Sequence, residues 1–223
     1  MAPLTINSVI RMNPEKECED VVLQAFKAGY HHVDSAIVYK NEAPCGSAIQ
    51  KSEFFREGIF FTSKIPTRTL SYDNTNNYGV HHLDELETHI KELEEERGKG
   101  KGGIISVGQW ELHPWLPRPD IVGWCQKRGV VIEAYSPLVR GERLEDKLLQ
   151  PLVKKYGKTA AQILVRWSLQ RGFVPLPKSV TPSRIVENTD VYDFELTAED
   201  MKSLETDEYS PCCWDPTKAT LQD

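Results

Sequence analysis

Gly58-Ile59-Phe60-Phe61-Thr62-Ser63-Lys64 is the stretch whose reading decides the fold. Its apolar, β-prone residues run without interruption and then turn polar, the pattern of a strand buried on both faces of a parallel sheet. Similar short runs lie at His31-His32-Val33-Asp34, Ile104-Ile105-Ser106-Val107-Gly108-Gln109, Gly129-Val130-Val131-Ile132-Glu133-Ala134-Tyr135 and Phe173-Val174-Pro175-Leu176-Pro177. Helical spacing fills the intervals. Glu17 to Tyr30 puts Val21, Val22, Ala25 and Phe26 on one face, with Gly29 as a stop. Further helices are expected over Ala43 to Ser52, Val80 to Arg97, Pro117 or Pro119 to Arg128, Leu144 to Tyr156, Thr159 to Gln170, Arg184 to Thr189 and Ala198 to Glu205. Pro66 to Tyr78 reads as loop and the tail beyond Asp207 as coil. Strands alternating with helices make βαβ units and a parallel sheet. With no repeat and no low-complexity linker, residues 1–223 read as a single domain.

Bulk properties narrow the function. A chain of 223 residues holds one sizeable core. Its formal net charge of −6 gives no general attraction to nucleic acid or anionic membrane. No apolar run approaches the roughly 18 residues of a membrane span, and Met1 to Arg11 lacks the apolar centre of a signal peptide. The five cysteines are odd in number and contain no Cys-x-x-Cys. That argues against a disulfide framework or a metal site and for a reducing, cytoplasmic setting. Gly98-Lys99-Gly100-Lys101-Gly102-Gly103 matches the dinucleotide motif in letters only. A helix precedes it and a strand follows, whereas phosphate binding needs the opposite order.

Several polar residues fall at the carboxyl ends of the expected strands, where a (β/α)8 barrel builds its active site. Asp34 ends one strand, Tyr39 follows it, and Lys64 ends the next. A phenol is a weak acid at neutral pH, with an ordinary pKa near 10. The Lys64 ammonium is expected to lower it and Asp34 to hold the lysine, giving an acid for a carbonyl oxygen. Taken singly, Asp34 reads equally as a helix cap, Tyr39 as rim packing and Lys64 as surface charge.

Together the motifs resemble the aldo-keto reductase family. They are Asp34 to Glu42 with Gly46, Ala48 and Ile49; Phe61-Thr62-Ser63-Lys64; Gln109-Trp110-Glu111-Leu112-His113-Pro114; Ala134-Tyr135-Ser136-Pro137-Leu138; and Pro177 to Pro182 with Arg184, Glu187 and Asn188. They stand in the family's order and cover most of the chain. The resemblance implies a (β/α)8 TIM barrel that reduces an aldehyde or ketone with NADP(H). It assigns catalysis to Asp34, Tyr39 and Lys64. Tyr135 is similar to the aromatic that stacks on the nicotinamide, with Ser136 and Leu138 beside it. Gln109 and Asn77 resemble the pair that holds the carboxamide. Lys178, Ser179 and Arg184 resemble the clamp on the 2′-phosphate, and Glu187 and Asn188 the adenine contacts. The implied partner is a small carbonyl substrate.

The chain also departs from the family. The histidine segment of the fourth strand is not found, and a short polar stretch joins Lys64 to Asn77. Strands two, three, six, seven and eight are recognisable, while one, four and five are not, so the barrel is expected to be incomplete. Unpaired strand edges favour self-association, and Phe60, Ile105 and Val131 are expected to lose cover. The alternative reading is a non-catalytic NADP(H)-binding or interaction protein, or a non-functional splice or gene-model product.

Overall fold

The computed structural model describes residues 5–7, 15–64, 79–213, 215 and 217. Among the described residues six strands are present: β1 (Thr5–Asn7), β2 (His32–Asp34), β3 (Phe60–Thr62), β4 (Val107–Glu111), β5 (Val131–Tyr135) and β6 (Val174–Leu176). The helices are α1 (Glu15–Lys27), α2 (Glu42–Lys51), α3 (Val80–Arg97), α4 (Pro119–Arg128), α5 (Gln150–Tyr156), α6 (Ala160–Gln170), α7 (Pro182–Glu187) and α8 (Ala198–Ser203). The strands form two parallel sheets, ordered β1-β2-β3 and β4-β5-β6. β1 lies beside β6, which joins the sheets into one curved wall. Among the described residues no strand pairs with the outer edges of β3 and β4. The result is an incomplete (β/α)8 barrel, open between those two strands.

Two apolar clusters hold the wall to its helices. One packs Cys18, Val22 and Phe26 of α1 with Ala48 of α2 and Val33 of β2. The other packs Trp110 of β4, Ile132 and Ala134 of β5, Ile121 and Trp124 of α4, and Ile163 and Trp167 of α6. Each large side chain so buried contributes on the order of 1.5–3 kcal/mol. Helix α4 starts on Pro119, whose missing N–H costs nothing in the first turn. It ends at Gly129, whose φ of 68° lets its N–H bond back to the Cys125 and Gln126 carbonyls.

Four expectations need correction. β1 is a strand that the sequence pattern did not disclose. Three residues show no periodicity, and only the parallel pairing Thr5↔His32 through Asn7↔Asp34 defines it. The strand expected over 104–109 lies at 107–111, because its register is set by pairing from Val107↔Val131 to Glu111↔Tyr135. The helix expected from Leu144 begins only at Gln150, with Pro151 in its first turn. β3 is not buried on both faces. Phe60 is 61 % exposed and Phe61 and Thr62 are half-buried, since β3 is an edge strand at the opening. Val131, at the start of β5, is 47 % exposed, as expected, whereas Ile105 is half-buried against the second cluster.

Residues 208–213 are coil, as expected, and the tail is fastened. Buried Arg118 donates to Asp215 Oδ1 (2.9 Å), Thr217 Oγ1 (2.8 Å), Tyr209 Oη (3.2 Å) and the Glu111 carbonyl (3.1 Å). This clamp carries the tail back across the mouth of the wall, next to the end of β4.

Candidate active site

Side chains at alternate strand positions face one side, and here the interior side is polar. His32 and Asp34 come from β2, Thr62 from β3, Gln109 from β4 and Glu133 from β5. Gln109 Nε2 donates to Asp34 Oδ1 (3.0 Å) and to Glu133 Oε2 (2.8 Å), which ties the two sheets together across the interior. His32 Nε2 lies 2.8 Å from Thr62 Oγ1 and 3.7 Å from Glu133 Oε1. Burial, helped by the charge of Lys64, pushes His32 down to about 4, so its ring is neutral at physiological pH.

Lys64 sits at the centre of the site. Its ammonium donates to both oxygens of fully buried Asp34 (2.6 Å each) and to the Ser35 carbonyl (2.9 Å). The backbone leads it there: Ser35 N–H bonds to Thr62 O (2.7 Å) and Ile37 N–H to Lys64 O (3.3 Å). A 3-10 turn over Ile37–Tyr39 then swings Tyr39 back, so that Lys64 Nζ lies 5.4 Å from the centre of its ring. The three residues expected to act together are thus adjacent.

The electrostatics differ from the expectation. Tyr39 is pushed up to about 12, first by burial and then by the charge of Asp34. Lys64 does not lower it because that ammonium is committed to the Asp34 carboxylate. Burial also raises Asp34 and Glu133. The Lys64 charge and the hydrogen bonds from Lys64 and Gln109 pull Asp34 back, and the Gln109 bond does the same for Glu133.

Glu133 therefore binds its proton more tightly folded than unfolded. The stability this contributes is present at low pH and is lost as pH rises above the ordinary carboxylate range. Glu133→Gln removes the buried charge and keeps an acceptor for Gln109. The variant is expected to melt above the parent at neutral pH, with the gap closing on acidification. Thermal melts across that range check this, and a neutral-pH melt below the parent's would contradict it.

These groups border one large cavity of about 1610 Å³ that opens between β3 and β4. Tyr39, Lys64, Gln109, Tyr135, Ser136 and Leu138 line one part of it. Lys178, Ser179, Arg184, Glu187 and Asn188 line another, on the segment from β6 into α7. Lys178 and Arg184 are exposed, and among the described residues neither has an ion-pair partner. Ser179 Oγ accepts from Thr181 N–H (3.1 Å). The Glu187 carboxylate accepts from the Thr159 hydroxyl (2.6 Å), and Asn188 is buried. Every expected site residue except one is thus on the cavity wall or in direct contact with it. Asn77 lies outside the described residues.

Sequence reasoning missed Glu133, Cys213 and the deeper role of His32. The motif Ala134-Tyr135 drew attention past the residue before it, and nothing in the tail's composition announces that Cys213 returns to the cavity. Ser136 has a φ of 50°, in the left-handed region that costs a non-glycine residue about 1–3 kcal/mol.

Comparison with known proteins finds relatives along most of the chain. The sequence pattern of the Aldo/keto reductase family matches residues 5–97 and 77–206, so residues 77–97 fall in both matches. An uncharacterised oxidoreductase of Schizosaccharomyces pombe is 35 % identical, covering 92 % of this chain and 90 % of that protein. That alignment runs over 260 positions against a chain of 223 residues, so the relative carries stretches with no counterpart here. The glyoxal reductase of Bacillus subtilis is 30 % identical over 88 % of this chain and 86 % of that one. Among solved structures, an aldo-keto reductase from a Medee basin deep-sea metagenome superposes with a TM-score of 0.73 at 28 % identity, covering 92 % of this chain and 90 % of that one. A variant of Gox0644 in complex with NADPH superposes with a TM-score of 0.76 at 26 % identity, covering 97 % of this chain and 94 % of that one.

Proposed function

Since this chain belongs to the Aldo/keto reductase family, we propose that it reduces an aldehyde or ketone to an alcohol with NADPH, using Tyr39 as the acid. The observation that carries the reading is the stack of Asp34, Lys64 and Tyr39 at the wall of a cavity that also holds Tyr135 and the Lys178–Arg184 segment. The cofactor supplies hydride to the carbonyl carbon. As charge grows on the carbonyl oxygen, Tyr39 hands over its phenolic proton. A phenol raised to about 12 still does this, because an alkoxide is a stronger base than a phenolate. Lys64 stands beside the phenolate that results, and Asp34 holds Lys64 in place.

The chain's residues fit the cofactor at its phosphate end. Lys178 and Arg184 offer two cations without an ion-pair partner among the described residues, and Ser179 a hydroxyl. An arginine can bind a phosphate dianion through two parallel hydrogen bonds. Arg184→Ala is expected to weaken NADPH binding about 10- to 100-fold, the worth of a charge-assisted hydrogen bond, and to leave NADH binding nearly unchanged. Parallel fluorescence titrations with the two cofactors test it. Equal losses for both would remove the 2′-phosphate clamp from the account. Glyoxal is the first substrate to try, given the Bacillus subtilis relative.

One observation favours a second reading. The open edge strands β3 and β4 leave Phe60 and Val107 in solvent. A chain that binds NADPH without turnover, and pairs those edges with a second copy, accounts for that exposure. Concentration-dependent sedimentation together with absent turnover would select it.

A further inference from the structure

The tail returns Cys213 to the cavity wall with Cys212 beside it, and the activity above uses neither. Both of their backbone N–H groups are held by the buried carboxylate of Glu111, Cys212 N on Oε1 (2.6 Å) and Cys213 N on Oε2 (3.2 Å). Glu111 is itself fixed by His113 Nε2 (3.0 Å). The anchoring brings the two sulfurs to 3.9 Å and sets Cys213 Sγ 3.4 Å from the Ser136 hydroxyl, on the cavity wall with Tyr39 and Tyr135. Both thiols are half-buried and so in reach of a small solute. The other three, Cys18, Cys45 and Cys125, are fully buried.

We propose that Cys212 and Cys213 form a redox-modification site at the cavity wall, which hydrogen peroxide closes into a reversible vicinal disulfide. The Cys213 sulfur attacks one peroxide oxygen and the O–O bond breaks. Sulfur is oxidised to a sulfenic acid, and the departing hydroxide takes a proton to become water. The Cys212 sulfur then attacks the Cys213 sulfur. The S–S bond forms as the S–O bond breaks, and the hydroxide leaves with the Cys212 proton as a second water. Two thiols thus give up two electrons and two protons, and the peroxide becomes two waters.

The two sulfurs are unequal in the way this sequence of steps requires. Hydrogen bonds from the Cys212 thiol and then from Ser136 pull Cys213 down to about 6, against the opposing effect of burial. Cys212 is pushed up by the same contact with Cys213, by burial and by Glu111. A thiolate is the nucleophile, and its thiol neighbour resolves the sulfenic acid. Neighbouring Cα atoms stand about 3.8 Å apart across a trans peptide, closer than the roughly 4.4–6.8 Å of ordinary disulfides, so the bond is strained and easily reduced. Closing it also draws Cys213 away from Ser136, next to Tyr135, so the redox state changes the cavity wall.

The test uses the full chain in its native state. It is exposed to hydrogen peroxide without reductant, then denatured and alkylated, and the peptides are weighed. The expected result is loss of two of the five titratable thiols, with the Cys212–Cys213 peptide lighter by two hydrogens, unalkylated, and restored by dithiothreitol. C213S is expected to lose this oxidation, and C212S to stop at a sulfenic acid trapped by dimedone. Alkylation of both cysteines after peroxide, or pairing of either with another cysteine, would overturn the proposal. Because the mass of the parent peptide decides the matter, the outcome stands whether or not the chain turns over a carbonyl.

Discussion

Tyr39→Phe is expected to lower NADPH oxidation with a reactive aldehyde by about 10²–10⁴, the usual contribution of a positioned general acid, and to leave NADPH affinity as it was. The side chain keeps its ring and loses one hydroxyl. The Lys64 ammonium still meets the ring face, and the Asp34–Lys64 pair still spans β2 and the end of β3. Only the proton is gone, so hydride arriving at carbon would have to charge an oxygen with no acid beside it. Initial rates and a fluorescence titration on the same preparation separate the two effects. Unchanged turnover in the variant would remove Tyr39 from the mechanism, and a parallel loss of NADPH affinity would mean that it holds cofactor instead.

Lys64→Met carries the second large effect, on stability as well as on activity. Asp34 is fully buried, and Lys64 supplies two of the hydrogen bonds to its carboxylate. Without that cation, Asp34 keeps the hydrogen bond from Gln109 and must either stay charged in the buried interior or take up a proton. Breaking a buried pair from one side costs about 3–5 kcal/mol, a large part of the about 5–15 kcal/mol that holds a domain folded. The sign with pH follows from linkage. Burial already raises Asp34, and the loss of Lys64 raises it further, so the folded variant binds a proton that the unfolded chain releases. The destabilisation is therefore smallest under acid conditions and grows as pH rises through and above the ordinary carboxylate range. Urea unfolding at acid and at neutral pH checks it. Equal losses at both would show that the cost is lost packing of the lysine stem and not the stranded carboxylate.

Much of this site was legible in the sequence because its parts are local. Asp34, Tyr39 and Lys64 sit at strand ends that the apolar runs locate, and α3 begins and ends where its spacing places it, Val80–Arg97. Lys178 to Asn188 forms one short segment whose residues reach the cavity together. Long-range pairing hid the rest. β1 exists only through its partner β2, and β4 begins at Val107 because β5 sets its register. The charge state of Tyr39 depends on where the Lys64 ammonium is spent, and spacing says nothing of that. Gln109 was read as a cofactor contact, yet its amide also bridges Asp34 and Glu133, residues 75 and 24 positions away. Cys213 reaches Ser136 only because Glu111 and Arg118 fasten the tail.

The wall is open at the free edge of β3, and that edge explains why Phe60, a residue of an apolar strand, stands in solvent. The acid and its lysine lie on one side of that opening and Tyr135 with the Lys178–Arg184 segment on the other. The proposed activity therefore requires the two sheets to stay in register across the interior, and the Gln109 bridge is one hydrogen-bonded link between them.

The most direct test of the whole account is isotope transfer. The native chain is mixed with glyoxal and NADPH carrying deuterium at the transferable C4 position, and the alcohol product is weighed. One deuterium is expected on the new carbinol carbon, and it is lost on Tyr39→Phe. Saturable NADPH binding with no deuterium delivered would contradict it and leave a chain that holds its cofactor without using it.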